Sequence, residues 1–267
     1  MNAATGPASL TSPQLRQRMQ AIVQAGYGSA DVLHAEEIDR PAATEGEVLV
    51  RVCAAGLDRG TWHLMAGQPY LIRLVSGLRK PKNAVPGLDV AGTVVAVGTG
   101  VTRFKAGDEV FGISRGSFAE YARARADKLA RKPANLTFDQ AAAVAVSGLT
   151  ALQGLRDAGR LQPGQNVLII GASGGVGTFA VQIARALGAQ VTGVCSTAKT
   201  GLVTSIGANH VIDYTRDDYT NGAQRYDLIL DIAGNTALSR LRRALTRTGT
   251  LVIAGVHVRV PAAPRRP

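Results

Sequence analysis

The rhythm of hydrophobic and polar positions changes once along the chain, near its middle. From about Met19 to Lys132, apolar and polar residues alternate in short runs broken by glycine. EVLVRVCAAG at 47–56, AGTVVAVG at 91–98, GDEVFG at 107–112 and SFAEYA at 117–122 are the clearest. A period of two with turn residues at short spacing predicts a compact, mostly antiparallel β domain. Thr137-Phe-Asp-Gln140 then forms a capping box, in which the Thr hydroxyl and the Gln side chain satisfy unpaired amides at a helix start. It opens an alanine-rich helix, or two, running to about Ala158. After Pro163-Gly164, strands at 166–170, 190–194, 210–212, 226–232 and 250–254 alternate with helices near 176–187, 199–206 and 236–245. Such alternation predicts a parallel sheet with helices on both faces. The expected divisions are an N-terminal extension at 1–18, a β domain at 19–135, an α/β domain at 136–255 and a Pro/Arg-rich tail at 256–267, both ends read as disordered.

Composition narrows the picture. The 267 residues are 46% hydrophobic but only 4% aromatic, so the core must be built from Ala, Val, Leu and Ile. The net charge is +11 and comes mostly from arginine, but the basic residues do not gather into a run with interleaved aromatics, and no nucleic-acid partner is expected. Cys53 and Cys195 stand far apart with no CxxC pair, so neither a disulfide framework nor a zinc finger is indicated. Cys53 lies on an alternating strand and reads as a small buried hydrophobe. The first eighteen residues lack an apolar signal region, and no window is long and apolar enough to cross a bilayer. No membrane partner is expected, and the location expected is cytoplasmic.

The strongest chemical signal is VLIIGASGGVG at 167–177, an apolar run that stops at a turn with four glycines in seven positions. It follows an expected strand, opens an expected helix, and a second strand comes about twenty residues on. That context marks a dinucleotide site, where glycines let a pyrophosphate approach backbone amides at a helix N-terminus. The expected contacts are Gly171, Ser173, Gly174, Gly175, Val176 and Gly177. A site for NAD ordinarily ends its second strand with Asp or Glu, which accepts hydrogen bonds from the ribose hydroxyls. Here Val194-Cys-Ser196-Thr197-Ala-Lys199 holds no acid, and its hydroxyls and cation suit a 2′-phosphate. NADPH is therefore expected ahead of NADH. Lys199 also has a plain reading as a solvated residue in a first helical turn.

The glycine spacing alone would also fit short-chain dehydrogenases. In those the loop lies at the very N-terminus and a Tyr-xxx-Lys pair follows, whereas here 165 residues precede the loop strand and no such pair occurs. The order of domains instead resembles medium-chain dehydrogenases/reductases, in particular their zinc-independent quinone oxidoreductase branch. Val85-Pro-Gly-Leu-Asp-Val-Ala-Gly92, Gly107-Asp-Glu-Val-Phe-Gly112, Gly116-Ser-Phe-Ala-Glu-Tyr121 and Gly171–Gly177 carry the resemblance, over about residues 20 to 255. It implies a GroES-like β domain followed by a doubly wound (Rossmann) sheet, and hydride transfer from NADPH to a quinone, an enone or a carbonyl. Matching motifs place the ligand positions of zinc-dependent relatives near Asp58, Leu88 and Ser147, a set that does not suit Zn²⁺. No zinc is expected, and a zinc alcohol dehydrogenase is the disfavoured alternative.

Without a metal, hydrogen-bond donors must meet the negative charge that develops on the substrate. The candidates are Asp58, at a position where the family commonly has Asn, with His63 and Tyr70 as proton donors and Trp62 as an aromatic plane or a packing residue. The resemblance further implies that Ser147 and Thr150 face the nicotinamide, that Ala233 and Gly234 lie along its ribose, and that Tyr214 joins Ser196, Thr197 and Lys199 at the adenosine 2′-phosphate. Family members continue past the fifth strand into a sixth, which commonly pairs with another subunit of a homodimer, and into a return segment. This chain departs from them after Leu251-Val-Ile-Ala-Gly255. The expectation is a sheet lacking its last strand, with low stability and reduced turnover. A nucleotide-binding remnant without catalysis is the alternative reading.

Overall fold

Alternation along Val167–Ile170 decides how the second half of the molecule is layered. Val167 and Ile169 point into one apolar cluster and Leu168 and Ile170 into another, so this strand is covered on both faces. The computed structural model describes residues 17–254. It divides into two units, Met1–Asp139 and Gln140–Pro267. The proposed extension and tail fall outside the described residues at 1–16 and 255–267, while Arg18 already opens the first strand.

In the first unit, β1 (Arg18–Gln24) and β2 (Leu33–Asp39) form an antiparallel ribbon. β3 (Glu47–Ala55), β4 (Asp89–Val97), β5 (Glu109–Ile113), β6 (Tyr121–Arg125) and β7 (Leu129–Arg131) form a five-stranded antiparallel sheet in the order β6-β3-β4-β5-β7. Inward-facing Val48, Val50, Val90, Val94 and Val110 close on Phe104 and Leu129, a core of branched aliphatics that follows from the scarcity of aromatics. Between β3 and β4 the chain leaves the sheet as α1 (Arg59–Ala66) and α2 (Arg73–Ser76).

The second unit begins with α3 (Phe138–Ala142), whose last residues Gln140–Ala142 fall within it, and α4 (Ala145–Leu152). The alanine-rich segment is thus two helices, and a π-helical stretch at Gln153–Ala158 extends the second. β8 (Asn166–Ile170), α5 (Gly175–Ala186), β9 (Gln190–Cys195), α6 (Thr200–Ser205), β10 (His210–Asp213), β11 (Tyr226–Asp231), α7 (Leu238–Ala244) and β12 (Leu245–Ile253) follow. The five strands are parallel in the order β10-β9-β8-β11-β12. α4, α5 and α6 supply Ala151, Ala180, Val181, Ala184 and Val203 to one face, and α7 supplies Leu241 and Ala244 to the other. β12 starts five residues before its expected position: Leu245 pairs with Tyr226, and the register then shifts before Leu228 meets Thr250. The carboxyl ends of all five strands share one edge. Strand order reverses between β8 and its two neighbours, which is where open α/β sheets bind ligands.

Candidate nucleotide site and the segment after β3

β8 ends at Ile170, and Gly171 turns the chain with φ +86°, a conformation that favours glycine. A Cβ on Gly177 would lie 2.1 Å from the Gly171 carbonyl oxygen, so only glycine allows α5 to start this close to β8. Gly174 and Gly175 are exposed, and a Cβ on either would meet nothing nearer than 3.2 Å. That is an open cradle which side chains would narrow. The first helical bond of α5 runs from the Thr178 amide to the Gly174 carbonyl, leaving the amides of Gly175, Val176 and Gly177 without an intrahelical acceptor. With the positive end of the helix dipole, this chemistry suits a pyrophosphate.

The cradle opens into a cavity of about 630 Å³ at the carboxyl edge of the sheet. Gly171 and Ser173, Ser196 after β9, Tyr214 after β10, and Ala233 and Asn235 after β11 line it. The structure therefore brings together the glycine loop, Ser196, Tyr214 and the 233–235 turn, drawn from positions 171 to 235 of the sequence. Asp231, buried at the end of β11, accepts the amides of Ala233 and Gly234 at 3.1 and 2.9 Å and fixes that turn. Gly234 sits there at φ +70°. Ser147, on α4, is buried beside the loop, with its hydroxyl 3.2 Å from where a Cβ on Gly175 would stand. Thr150 donates its hydroxyl to the Val146 carbonyl at 2.7 Å and so is committed within its own helix. Lys199 is exposed, its ammonium has no hydrogen-bond or ion-pair partner among the described residues, and it does not line the cavity.

Three residues of this site were not foreseen from the sequence. The parallel register sets Asp213 beside Cys195, and the chain after β9 carries Thr197 back over it. Thr197 Oγ1 donates to Asp213 Oδ2 at 2.5 Å, Thr215 Oγ1 donates to Oδ1 at 2.7 Å, and the Thr215 amide donates to Oδ1 at 3.0 Å. The hydroxyl bonds from Thr197 and Thr215 hold the Asp213 carboxyl below the usual carboxylate range. Arg216 stands beside this cluster. The signal was Asp213-Tyr-Thr-Arg216 itself, but only strand pairing shows that a carboxylate missing from β9 arrives from β10.

The candidates Asp58, His63 and Tyr70 lie together in the first unit, between β3 and β4. Asp58 is the N-cap of α1: Oδ1 accepts the Thr61 amide and Oδ2 the Thr61 hydroxyl, both at 2.9 Å. His63 Nδ1 lies 2.7 Å from the Gln68 carbonyl oxygen, which can only accept, so Nδ1 carries a proton. In a neutral ring Nε2 is then an acceptor, and only the doubly protonated ring donates from that side. Tyr70 is 71% exposed, with the Arg73 guanidinium 4.9 Å from its ring centroid. Trp62 packs edge-on against His63 and carries Arg59 over its face at 4.6 Å. A second cavity, of about 660 Å³, lies beneath α1 and is lined by Thr61, Leu64 and Met65, but by none of Asp58, His63 and Tyr70. Cys53 is exposed rather than buried, because β3 turns it to the side away from the sheet core. Among the described residues no three His, Cys, Asp or Glu side chains are grouped so as to hold a metal ion, and no helix is long and apolar enough to cross a membrane.

Comparison with known proteins agrees with this architecture. A family model of the alcohol dehydrogenase GroES-like domain matches residues 44–134, and one of the zinc-binding dehydrogenase domain matches residues 175–265. The chain is 35% identical to a 2-methylene-furan-3-one reductase of Solanum lycopersicum across 84% of its own length and 59% of that protein's. It is 34% identical to the quinone oxidoreductase of Sus scrofa across 92% of its own length and 76% of that protein's. The chain thus spans about three-fifths of the first relative and about three-quarters of the second. Among solved structures, a mycobacterial protein complexed with NADPH superposes with a TM-score of 0.78 at 29% identity, over 93% of this chain and 77% of that one. A GroES-like antiparallel sheet, a parallel five-stranded Rossmann-type sheet and this degree of identity together place the chain in the quinone oxidoreductase family of the medium-chain dehydrogenases/reductases.

Proposed function

We propose that the chain is an NADPH-dependent, zinc-free reductase of quinones, enones or carbonyl compounds. The observation that carries this reading is the glycine loop, open at Gly174 and Gly175, whose first residues Gly171 and Ser173 line a cavity together with Ser196, Tyr214, Ala233 and Asn235. The fit is to a dinucleotide: the loop amides and Ser173 hold the pyrophosphate, and Ala233 and Gly234 lie along the nicotinamide ribose. Ser147 and Thr150 serve the nicotinamide end, and Ser196, Lys199 and Tyr214 the adenosine 2′-phosphate. When bound, the cofactor supplies a hydride from its nicotinamide ring. The mycobacterial relative, 29% identical, is complexed with NADPH, which supports the choice of nucleotide.

Proton delivery to the reduced substrate falls to the segment after β3. Asp58 accepts two bonds from Thr61 and shapes the start of α1. His63 delivers a proton from Nε2 only in its doubly protonated form, whereas the phenol of Tyr70 donates in its neutral form. Asp58, Leu88 and Ser147 offer no ligand set for zinc, and stoichiometric zinc by metal analysis would overturn that part of the reading.

The test pairs cofactor titration with turnover. NADPH should bind more tightly than NADH, and NADPH oxidation should accelerate on addition of a small quinone or enone. A His63→Gln variant that keeps NADPH affinity but loses the fall of kcat/KM with rising pH assigns the proton to His63. A Tyr70→Phe variant that loses kcat at constant affinity assigns it to Tyr70. Binding without turnover across the panel would reduce the proposal to nucleotide binding alone.

A further inference from the structure

The Asp213 cluster changes which groups can recognise a 2′-phosphate. Thr197 and Thr215 both give their hydroxyl protons to the carboxylate, so what they turn outward is lone pairs. A phosphate needs donors, and neither hydroxyl serves it while bonded to Asp213. The same carboxylate is 9% exposed, its hydroxyl bonds favour its ionised form, and it places negative charge beside the cavity. Left alone, that charge would repel a phosphate.

Arg216 answers both problems. Its Nε lies 3.7 Å from Asp213 Oδ2, its side chain is 72% exposed, and it lines the cavity. Its guanidinium forms no hydrogen bond among the described residues, so both amino groups are available. Arg240, also at the cavity, is committed to Asp218 at 2.6 Å and to the Thr220 hydroxyl at 3.1 Å. A guanidinium presents paired N–H groups that match phosphate oxygens in a way an ammonium cannot.

We infer that Arg216 is the specificity-determining residue for the 2′-phosphate of the cofactor, and that Asp213 is the positioning residue that orients its guanidinium. This rests on the NADPH reading above and adds to it a residue that the sequence pattern did not supply. Calorimetric titration of the full chain with NADPH, NADH, adenosine 2′,5′-bisphosphate and ADP tests it without turnover. Arg216→Gln should weaken NADPH and the bisphosphate by about tenfold to a hundredfold, the size of a charge-assisted contact, and change NADH and ADP by less than about twofold. Arg216→Lys should retain part of the preference. In an Asp213→Asn background the loss caused by Arg216→Gln should shrink, because the guanidinium is no longer held in place. Unchanged NADH affinity shows that each variant is folded at the site. If the native chain prefers NADPH and Arg216→Gln keeps the same NADPH to NADH ratio, the inference is wrong and the NADPH reading stands. If the native chain shows no preference for NADPH, the reading itself is wrong and the inference goes with it.

Discussion

Gly177 and the two cysteines show how much a single position can carry. A Cβ at Gly177 would overlap the Gly171 carbonyl at 2.1 Å, so Gly177→Ala must push α5 away from β8. The expected outcome is a loss of about 1–3 kcal/mol in stability with NADPH affinity reduced more than tenfold, read by thermal melting and titration. Gly174→Ala, whose new methyl would find ordinary contact distances, should leave the fold intact and weaken NADPH less. Cys53 is exposed, while Cys195 is buried and its thiol is pushed up by burial and by the charge of Asp213. A maleimide at neutral pH should therefore label Cys53 within minutes and Cys195 only after unfolding, as counted by mass spectrometry of the intact chain. Residue-level chemistry was the least legible part of the sequence. The glycine loop could be read because its constraint is local. The burial of Cys53 was misjudged because period two does not say which side of a strand is covered. Thr197 was read as a 2′-phosphate contact, and its bond to Asp213 was not legible because only the pairing of β9 with β10 sets the two side by side.

Elements follow from sequence more closely, since caps and periodicity are local. α1 begins where Asp58 accepts the Thr61 amide and hydroxyl, and the same Asp58 had been set among catalytic candidates because of where it falls in the family motif. The two roles separate by substitution. Asp58→Ala should cost about 1 kcal/mol of stability as a lost N-cap, and Asp58→Asn should recover most of it, with chemical denaturation as the measurement. If both variants turn over like the native chain, Asp58 is a cap alone. The end of β10 also responds to acid. Asp213 has its pKa lowered from 3.8, so its contribution to stability is present above that value and is lost as pH falls below it through the still lower folded value. Denaturation curves should show that acid loss removed in Asp213→Asn. The strands and helices of the second unit were legible within a residue or two because buried parallel strands are short apolar runs bounded by turns. β12 was not, because Leu245–Gly249 joins the sheet through a register shift that periodicity does not encode.

At the scale of the molecule, each unit carries its own apolar core: one in the first unit, and two in the second, on opposite faces of the parallel sheet. The division into a β half and an α/β half was readable because the hydrophobic period itself changes between them. Everything that meets the proposed nucleotide at its phosphates and adenosine end belongs to a shared edge where β8, β9, β10 and β11 all stop. A nucleotide bridging these four strands ties their ends together. With NADPH a hundredfold above its dissociation constant, the folded state gains about 2.7 kcal/mol. Hydrogen exchange should register that gain as slowed amides at Gly171–Gly177, Ser196 and Ala233–Gly234, and Gly177→Ala should lose the slowing. In this fold the ligand acts as a clasp on the sheet, so a thermal-shift screen of nucleotides would rank cofactors before any substrate is known.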